Sequence, residues 1–580
     1  MNDRIAIKKL LSLLKPYTKK IVFITFFLII STLINMVLPL MSRRIIDEGF
    51  LGNNFNLILY SVLVILALVL IDKIINVVKE MFRAEICAKL KYSLYDTSFT
   101  QLVKMRIHNF NNTNYAEQLN NINMDIENIS KITDGSLFFI VTQVFNILGG
   151  FIGLFLIDYH LTVIVIFFIP IKYVLVKYFA GKRRNIMTDS MERSGDFAQW
   201  FGDAIGGIRE IKLFNLSDLK YKEFKKKQNP VINLEKKGAI LDVWNMSSDA
   251  FVLQFFVSAI YIIGAYMVFN KGMTVGSVLA FITYSSYVTT PITAILNIGY
   301  IIVGIIPSTK RYYEFLSMDI EETVDEKSII KLDKNEEVII EFKNVYFSYI
   351  DGQPILKNIS FSLKNGEKVA LIGLNGSGKS TIINLILRFY SPSEGEILLN
   401  GINIEKYDIN EYRGLISSVS QSIYLFDTTI RNNIFLYKDY EEEVYQELVR
   451  VLDLKRIDDI FPNDCNVGQN GIMLSGGQRQ KIAIGRLLAR DSKIVILDEA
   501  TSNLDIDAEN NLNRLLDYKL LNKTTIIISH KPDILEKADK IIFLDKGTIN
   551  EMGTHDELIK NNTLYQQLIE QFKQQSDFLT

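Results

Sequence analysis

A chain of 580 residues is too long for one ordinary domain, and 64 Lys/Arg against 65 Asp/Glu give a formal charge of −1, which excludes any whole-chain electrostatic case for a nucleic-acid partner. Hydrophobic residues make up 48% of the chain, and long apolar stretches crowd the part before residue 310 and disappear after it. Two cysteines, Cys87 and Cys465, are too few for a disulfide scaffold or a usual zinc cage.

In chain order, residues 5–14 mix apolar residues with lysines ahead of Pro16, the pattern of a short helix lying on a membrane surface. Apolar runs then follow at Ile21 to Leu40, Leu57 to Ile71, Leu137 to Ile157, Leu161 to Phe179, Phe251 to Phe269 and Val275 to Ile306. Most approach or exceed the ~20 residues that cross a hydrocarbon core, so six spans are expected, the second continuing through Asp72 and Lys73 to Val78. No small-residue cleavage site follows the first run, which is expected to stay as the first helix. With the N-terminus inside, segments 1–20, 79–136 and 181–250 carry six, seven and thirteen Lys/Arg, whereas the opposite-side loops carry only Arg43, Arg44 and Lys271. The positive-inside rule therefore places both termini in the cytoplasm.

The long inner segments are rich in Leu, Ile, Lys, Glu and Asn with few prolines, so they read as helical continuations of the spans. Lys225-Lys226-Lys227 reads first as a solvated helix face, with an anionic lipid or partner contact as the alternative. Asp72, Lys73 and Lys172 fall in or near spans, where a charge is expected to pair or to face a wet cavity. Tyr284-Ser-Ser-Tyr287, Thr289-Thr290-Pro291, Asn297 and Tyr300 form a polar, aromatic stripe on the last span, which either lines a cavity or packs helices together. The acidic stretch Asp319 to Glu326 lies in a linker. The expected organisation is a transmembrane domain over 1–315, a linker over 316–336, a nucleotide-binding domain over 337–574 starting with a strand from Glu337 to Phe342, and a tail over 575–580.

The chemistry is concentrated in that second domain. Gly373-Leu374-Asn375-Gly376-Ser377-Gly378-Lys379-Ser380 satisfies G-x-x-x-x-G-K-[ST], with the strand-like Lys368 to Ile372 before it and a helical run from Thr381 after it. The glycines let backbone N–H groups curl around phosphates, the helix start adds partial positive charge, Lys379 reaches the β- and γ-phosphates, and Ser380 ligates Mg²⁺. A second apolar strand, Lys493 to Leu497, ends in Asp498 and Glu499. This is where an α/β ATPase places a Mg²⁺-holding carboxylate, Asp498, and a general base, Glu499. A third, Thr524 to Ser529, delivers His530 to the same end for a γ-phosphate contact. Leu474-Ser475-Gly476-Gly477-Gln478 opens another helix with phosphate-seeking chemistry. Two such helix starts for one nucleotide are reconciled if each chain of a dimer offers Ser475 and its glycines to the other's ATP.

Taken together these elements resemble the ATP-binding cassette (ABC) transporters, in particular exporter-type half-transporters, over essentially the whole chain. The resemblance implies an α-helical six-span transmembrane domain fused to an α/β P-loop ATPase domain of the ABC type. It casts Leu474 to Gln478 as the family signature, Tyr349 as the aromatic stacked on adenine, and Gln421 as the glutamine that senses metal and membrane domain. Ser502-Asn503-Leu504-Asp505 becomes the loop joining two ATP sites, and His530 the switch histidine. It implies nucleotide contacts from Tyr349, Gly373 through Thr381, Gln421, Ser475 through Gln478 and His530. It implies catalytic roles for Lys379, Gln421, Ser475, Gly477, Glu499 and His530, and Mg²⁺ contacts from Ser380, Gln421 and Asp498. Gly206 to Phe214 is similar to the segment with the second coupling helix, and Phe110 to Asp125 to the region of the first.

Gln469 stands where a glutamate is usual in the exporter communication loop, and Asn503 where an alanine is common; both bear on coupling. No cysteine-protease domain is expected ahead of the first span. The expected activity is ATP-driven export of an amphipathic small molecule, drug or peptide from the cytoplasm or inner leaflet, with a lipid flippase as the alternative and an ATP-gated channel or sensor as the alternative of another class. The expected partners are a second half-transporter, foremost an identical copy, the lipid bilayer, and the hydrophobic or amphipathic substrate. The expected location is the plasma membrane.

Overall fold

The computed structural model describes residues 2–110, 115–133, 137–297, 299–321, 338–350, 352–455, 465–500, 506–561 and 563–577. Two compact units emerge: one contains Met1–Val103 and Thr113–Met318, the other Lys104–Asn112 and Asp319–Thr580.

The first unit is helical: α1 (Asp3–Ser12), α2 (Thr18–Arg44), α3 (Phe55–Lys104), α4 (Tyr115–Ser130), α5 (Leu137–Ile157), α6 (Tyr159–Gly206), α7 (Ile208–Leu213), α8 (Ser217–Lys271), α9 (Val275–Asn297) and α10 (Gly299–Leu316). Among the described residues, five stretches are long and apolar enough to cross a membrane, at Asp3–Phe50, Phe55–Lys104, Phe139–Ile157, Tyr159–Gly206 and Ser217–Asn270. Their apolar windows are only 17–22% buried within the chain, leaving most of that surface to face a non-aqueous surrounding. The sixth expected span, Val275 to Ile306, falls on α9 and the start of α10, and part of it lies outside the residues whose side chains are described. With 48 and 55 residues, α6 and α8 run ~70–80 Å at 1.5 Å per residue, more than twice a ~30 Å hydrocarbon core, so they do continue far beyond the span.

Leu154, Leu161, Val165, Phe168, Phe256, Ile260, Phe281 and Tyr284 form one core of this unit, with Phe168 and Phe256 stacked at 4.2 Å. Gly150 and Gly153 on α5 let α9 approach closely, a Cβ at Gly153 falling 2.4 Å from the Tyr284 ring, while Gly149 lies against Thr32 and Met36 of α2. The Tyr284 hydroxyl donates to the carbonyl of Met36, and Ser285 and Thr289 donate to carbonyls of their own helix at 2.7 and 2.9 Å. For these three buried residues the stripe on the last span is packing rather than cavity lining. The side chains of Asn297 and Tyr300 lie outside the described residues.

The charges within the spans are accounted for differently. Asp72 is buried and accepts from Ser31 and, at 3.0 Å, from Asn76 Nδ2. Lys172, 1% exposed, lies 3.2 Å from Asp249 on α8. Lys73 is exposed. Midway along α6 and α8, Arg183 meets Asp242 at 3.2 Å, and nearer α7 Trp200 Nε1 donates to Glu223 at 3.1 Å, so the two helices are held together at both levels.

The second unit carries two sheets. An antiparallel sheet has the order β2-β1-β4-β5, from β1 (Val338–Phe347), β2 (Leu356–Lys364), β4 (Glu394–Leu399) and β5 (Ile402–Asn403). Its first strand runs five residues past the expected Phe342, because beyond a register irregularity after Phe342 the side chains of Val345 and Phe347 again enter the same core. The other sheet has the order β10-β9-β3-β8-β7-β6, from β3 (Lys368–Ile372), β6 (Ile416–Val419), β7 (Ile494–Asp498), β8 (Thr524–Ile528), β9 (Lys540–Asp545) and β10 (Thr548–Gly553). All its pairings are parallel except that of β10 with β9. The near-continuous Val/Ile/Leu runs of β3, β7 and β8 are those of strands covered on both faces. In this parallel sheet β3, β8 and β7 are successive neighbours, so their carboxyl ends open on one edge, where α/β sheets bind ligands.

Candidate nucleotide site

The P-loop leaves β3 at Ile372 and enters α11 (Lys379–Ile386) through backbone that only glycine adopts easily. Gly373 has φ +149°, and a Cβ there would fall 2.2 Å from the carbonyl oxygen of Leu544. Gly378 has φ +106°, and a Cβ would fall 2.5 Å from Leu356 Cδ2. Lys379 folds back over the loop, donating to the carbonyls of Gly373 at 2.7 Å and Leu374 at 3.1 Å. The Ser377 hydroxyl is buried without a hydrogen-bond partner among the described residues, a spare group in a loop of N–H donors that a phosphate oxygen would satisfy. Leu374, Asn375 and Gly376 are exposed on the loop, Ser380 is exposed in the first turn of α11, and Thr381 is buried behind it.

Tyr349 stands over that turn. Its hydroxyl lies 3.3 Å from Thr381 Oγ1 and accepts from Asn384 Nδ2 at 3.2 Å, while Phe347 and Tyr390 pack edge-on at 4.8 and 5.0 Å. The ring stays 44% exposed, available as a stacking platform beside the P-loop.

At the end of β7, Glu499 is held from three sides. Gln421 Nε2 donates to Oε2 at 2.9 Å, His530 Nε2 lies 3.2 Å from Oε1, and Gln480 Nε2 donates to the backbone carbonyl at 3.2 Å. Its own N–H donates to Ile528 on β8 at 3.1 Å, and its φ of +48° is unusual for a residue with a side chain. Strands β7 and β8 thus fix the two chemical residues relative to each other by one register, Asp498 opposite Ile528.

The electrostatics are those of a partly dry pocket. Burial lowers the Lys379 ammonium from its ordinary range, opposed by Glu499 and then Asp498. Burial raises the Asp498 carboxyl, with the Glu499 charge adding to the effect and Lys379 opposing it. Burial, helped by Lys379, lowers His530 below its ordinary value, which leaves the ring neutral at pH 7.

Ser475 caps the helix Gly476–Leu488 through a reciprocal pair: Gln478 N donates to Ser475 Oγ at 3.2 Å, and Ser475 N donates to Gln478 Oε1 at 2.8 Å. This cap belongs to a different core from the P-loop, and no hydrogen bond links it to Lys379 among the described residues. Lys379, Asp498, Glu499, Gln421 and His530 therefore come together in one chain; Ser475, Gly476, Gly477 and Gln478 stand apart on their own helix start. Ser502 to Asp505 lie outside the described residues. Sequence reasoning missed Gln480, buried in the helix that Ser475 opens and bonded to Glu499; its position two residues past the signature glutamine was the available signal.

A P-loop and a strand-end carboxylate pair at the carboxyl edge of a parallel sheet, in a chain that also carries a bundle of apolar helices, define a membrane transport ATPase. Residues 356–502 match the family described as ABC transporter, and residues 21–292 match the ABC transporter transmembrane region. The chain is 31% identical to YgaD of Bacillus subtilis (strain 168), provisionally named a multidrug export ATP-binding/permease protein, over 97% of this chain and 98% of that one. It is 29% identical to the ATP-dependent lipid A-core flippase of Escherichia coli (strain K12), over 91% and 90% of the two chains. Its fold superposes on a bacterial Atm1-family ABC exporter with ATP bound, with a TM-score of 0.83 at 21% identity, over 95% of this chain and 99% of that one.

The chain belongs to the ABC transporter family, as a multi-pass membrane protein with its ATPase domain in the same polypeptide. It binds ATP and couples hydrolysis to transport across the membrane.

Proposed function

We propose that two copies of this chain form an exporter for amphipathic molecules, with both ATP sites shared between the copies. The observation that carries the catalytic part is Glu499, gripped by Gln421 and His530 at the end of β7. In this reading Lys379 and the N–H groups of Gly373 to Ser380 hold the β- and γ-phosphates, and Tyr349 stacks on the adenine. Ser380, Gln421 and Asp498 would hold Mg²⁺, which would neutralise charge on the phosphates. The Glu499 carboxylate accepts the proton of the attacking water, and neutral His530 donates a hydrogen bond to the γ-phosphate. Ser475 and Gly477 of the second copy close over the same phosphates, since within one chain they stand apart.

Closure of the two ATPase domains switches the membrane helices from inward to outward access through α7 and the region from Phe110. This population shift is driven by tighter ATP binding in the closed state. Exposed Ile208, Leu213 and Phe214 give α7 the apolar surface a docking element needs. The positive-inside bias supports cytoplasmic termini and ATPase domains, and a plasma-membrane location fits the relatives named for export. The relative that flips lipid A-core supports a second reading, a lipid flippase.

The test is Glu499→Gln in the full-length protein. ATP binding is expected to persist while hydrolysis falls by ~10²-fold or more. Hydrolysis close to wild type would overturn the assignment of Glu499.

A further inference from the structure

The two helices whose N-termini face nucleotide in the reading above, α11 and Gly476–Leu488, have their opposite ends joined at one residue, Arg413. Its Nε donates to the carbonyl of Leu387 and its Nη2 to that of Arg388, both at 3.0 Å; these are the residues that follow α11. Its own carbonyl accepts from Arg490 Nη2 at 2.9 Å, just beyond the helix that Ser475 opens. The same guanidinium forks onto Glu321, Nη1 to Oε2 at 2.8 Å and Nη2 to Oε1 at 2.7 Å. The Glu321 side chain is 17% exposed, and the two-pronged geometry fixes direction as well as distance, unlike a loose surface ion pair.

Glu321 is tied in turn to the ends of two membrane helices. Its N–H donates to the carbonyl of Lys104, the last residue of α3, at 2.7 Å. Next to it Ile320 pairs with Met105 in a β-bridge, and Arg106 N donates to Asp319 at 3.2 Å. Asp319 itself follows the end of α10 at Leu316 by a short turn. Residues 104–110 thus belong to the ATPase unit, not to the unit of the helices that precede and follow them.

We propose that Glu321 is a positioning residue for transport: through Arg413 it locks the chain ends of α3 and α10 to the helices that grip ATP. A rigid helix displaced at its N-terminus by nucleotide moves its C-terminus with it, and the Arg413 fork passes that displacement to Glu321 and so to Lys104. The proposal rests on the ATP-driven transport reading and adds a route within a single chain.

The chain contains its own reporter. Both tryptophans, Trp200 on α6 and Trp244 on α8, belong to the membrane unit, so an emission change on trapping MgATP with vanadate reports nucleotide state across the coupling. In full-length protein in lipid nanodiscs, Glu321→Gln keeps the shape but removes the charge of the fork. It is expected to trap as much nucleotide and hydrolyse ATP within about twofold of wild type, while the tryptophan response falls roughly two- to thirtyfold. Glu321→Asp, which restores the charge, is expected to recover part of that response. A full response in Glu321→Gln overturns the proposal, and so does a parallel loss of trapping and response, which marks a merely structural role. A wild-type protein that traps nucleotide with silent tryptophans overturns the transport reading beneath it.

Discussion

The membrane unit and the ATPase unit solve the same problem, a charged group away from water, in opposite ways. In the ATPase unit the charges sit at strand ends on one edge, partly dry and mutually perturbed, with Lys379, Asp498, Glu499 and His530 each shifted by or shifting a neighbour. In the membrane unit the two buried within the expected spans are met locally: Lys172 lies beside Asp249, and Asp72 accepts hydrogen bonds from Ser31 and Asn76. A charge kept for chemistry is left with unsatisfied work; a charge kept for structure is paired or hydrogen-bonded where it stands.

Two substitutions break this contrast from either side. The larger effect is expected from Gly373→Ala, which puts a Cβ 2.2 Å from the Leu544 carbonyl in a backbone geometry with φ +149°. Loss of ~3 kcal/mol or more, roughly 100-fold in ATP affinity, is expected in a nucleotide-binding titration. Wild-type affinity would show that the loop relaxes and that its glycine is not required. A smaller effect is expected from Lys172→Met, which leaves Asp249 without its buried cation. A loss of ~2–3 kcal/mol should appear as a lower melting temperature in detergent, largely regained when Asp249→Asn is added. If the single variant melts like wild type, Lys172 is no structural partner and a role in the transport path gains ground.

The sequence announced the ATPase chemistry because each element of it is local. The P-loop needs eight consecutive residues, and Asp498, Glu499 and His530 each follow an apolar run that can only be a covered strand. Tyr349 and Gln421 were placed by family resemblance; in the fold they stand beside Thr381 and Glu499. What stayed hidden depends on segments far apart in the chain. Gln480 looks like any polar residue of an amphipathic helix until that helix is packed under Glu499. Glu321 reads as part of an acidic linker, and only the fold brings Arg413 to it. In the membrane unit, periodicity showed the helices but could not pair Lys172 with Asp249, nor decide that Tyr284, Ser285 and Thr289 pack inward, since lipid-facing and buried positions are equally apolar there.

The central claim is that carboxylate chemistry at Glu499 drives uphill movement through the membrane unit. It is tested most directly by reconstituting the full-length protein in proteoliposomes with ATPase domains outward and following a fluorescent amphipathic dye. Wild-type protein is expected to concentrate the dye inside only with MgATP, with vanadate abolishing the effect and Glu499→Gln showing none. Dye that merely equilibrates down its gradient when ATP is added, equally in wild type and Glu499→Gln, would contradict the account and make the chain an ATP-gated passage.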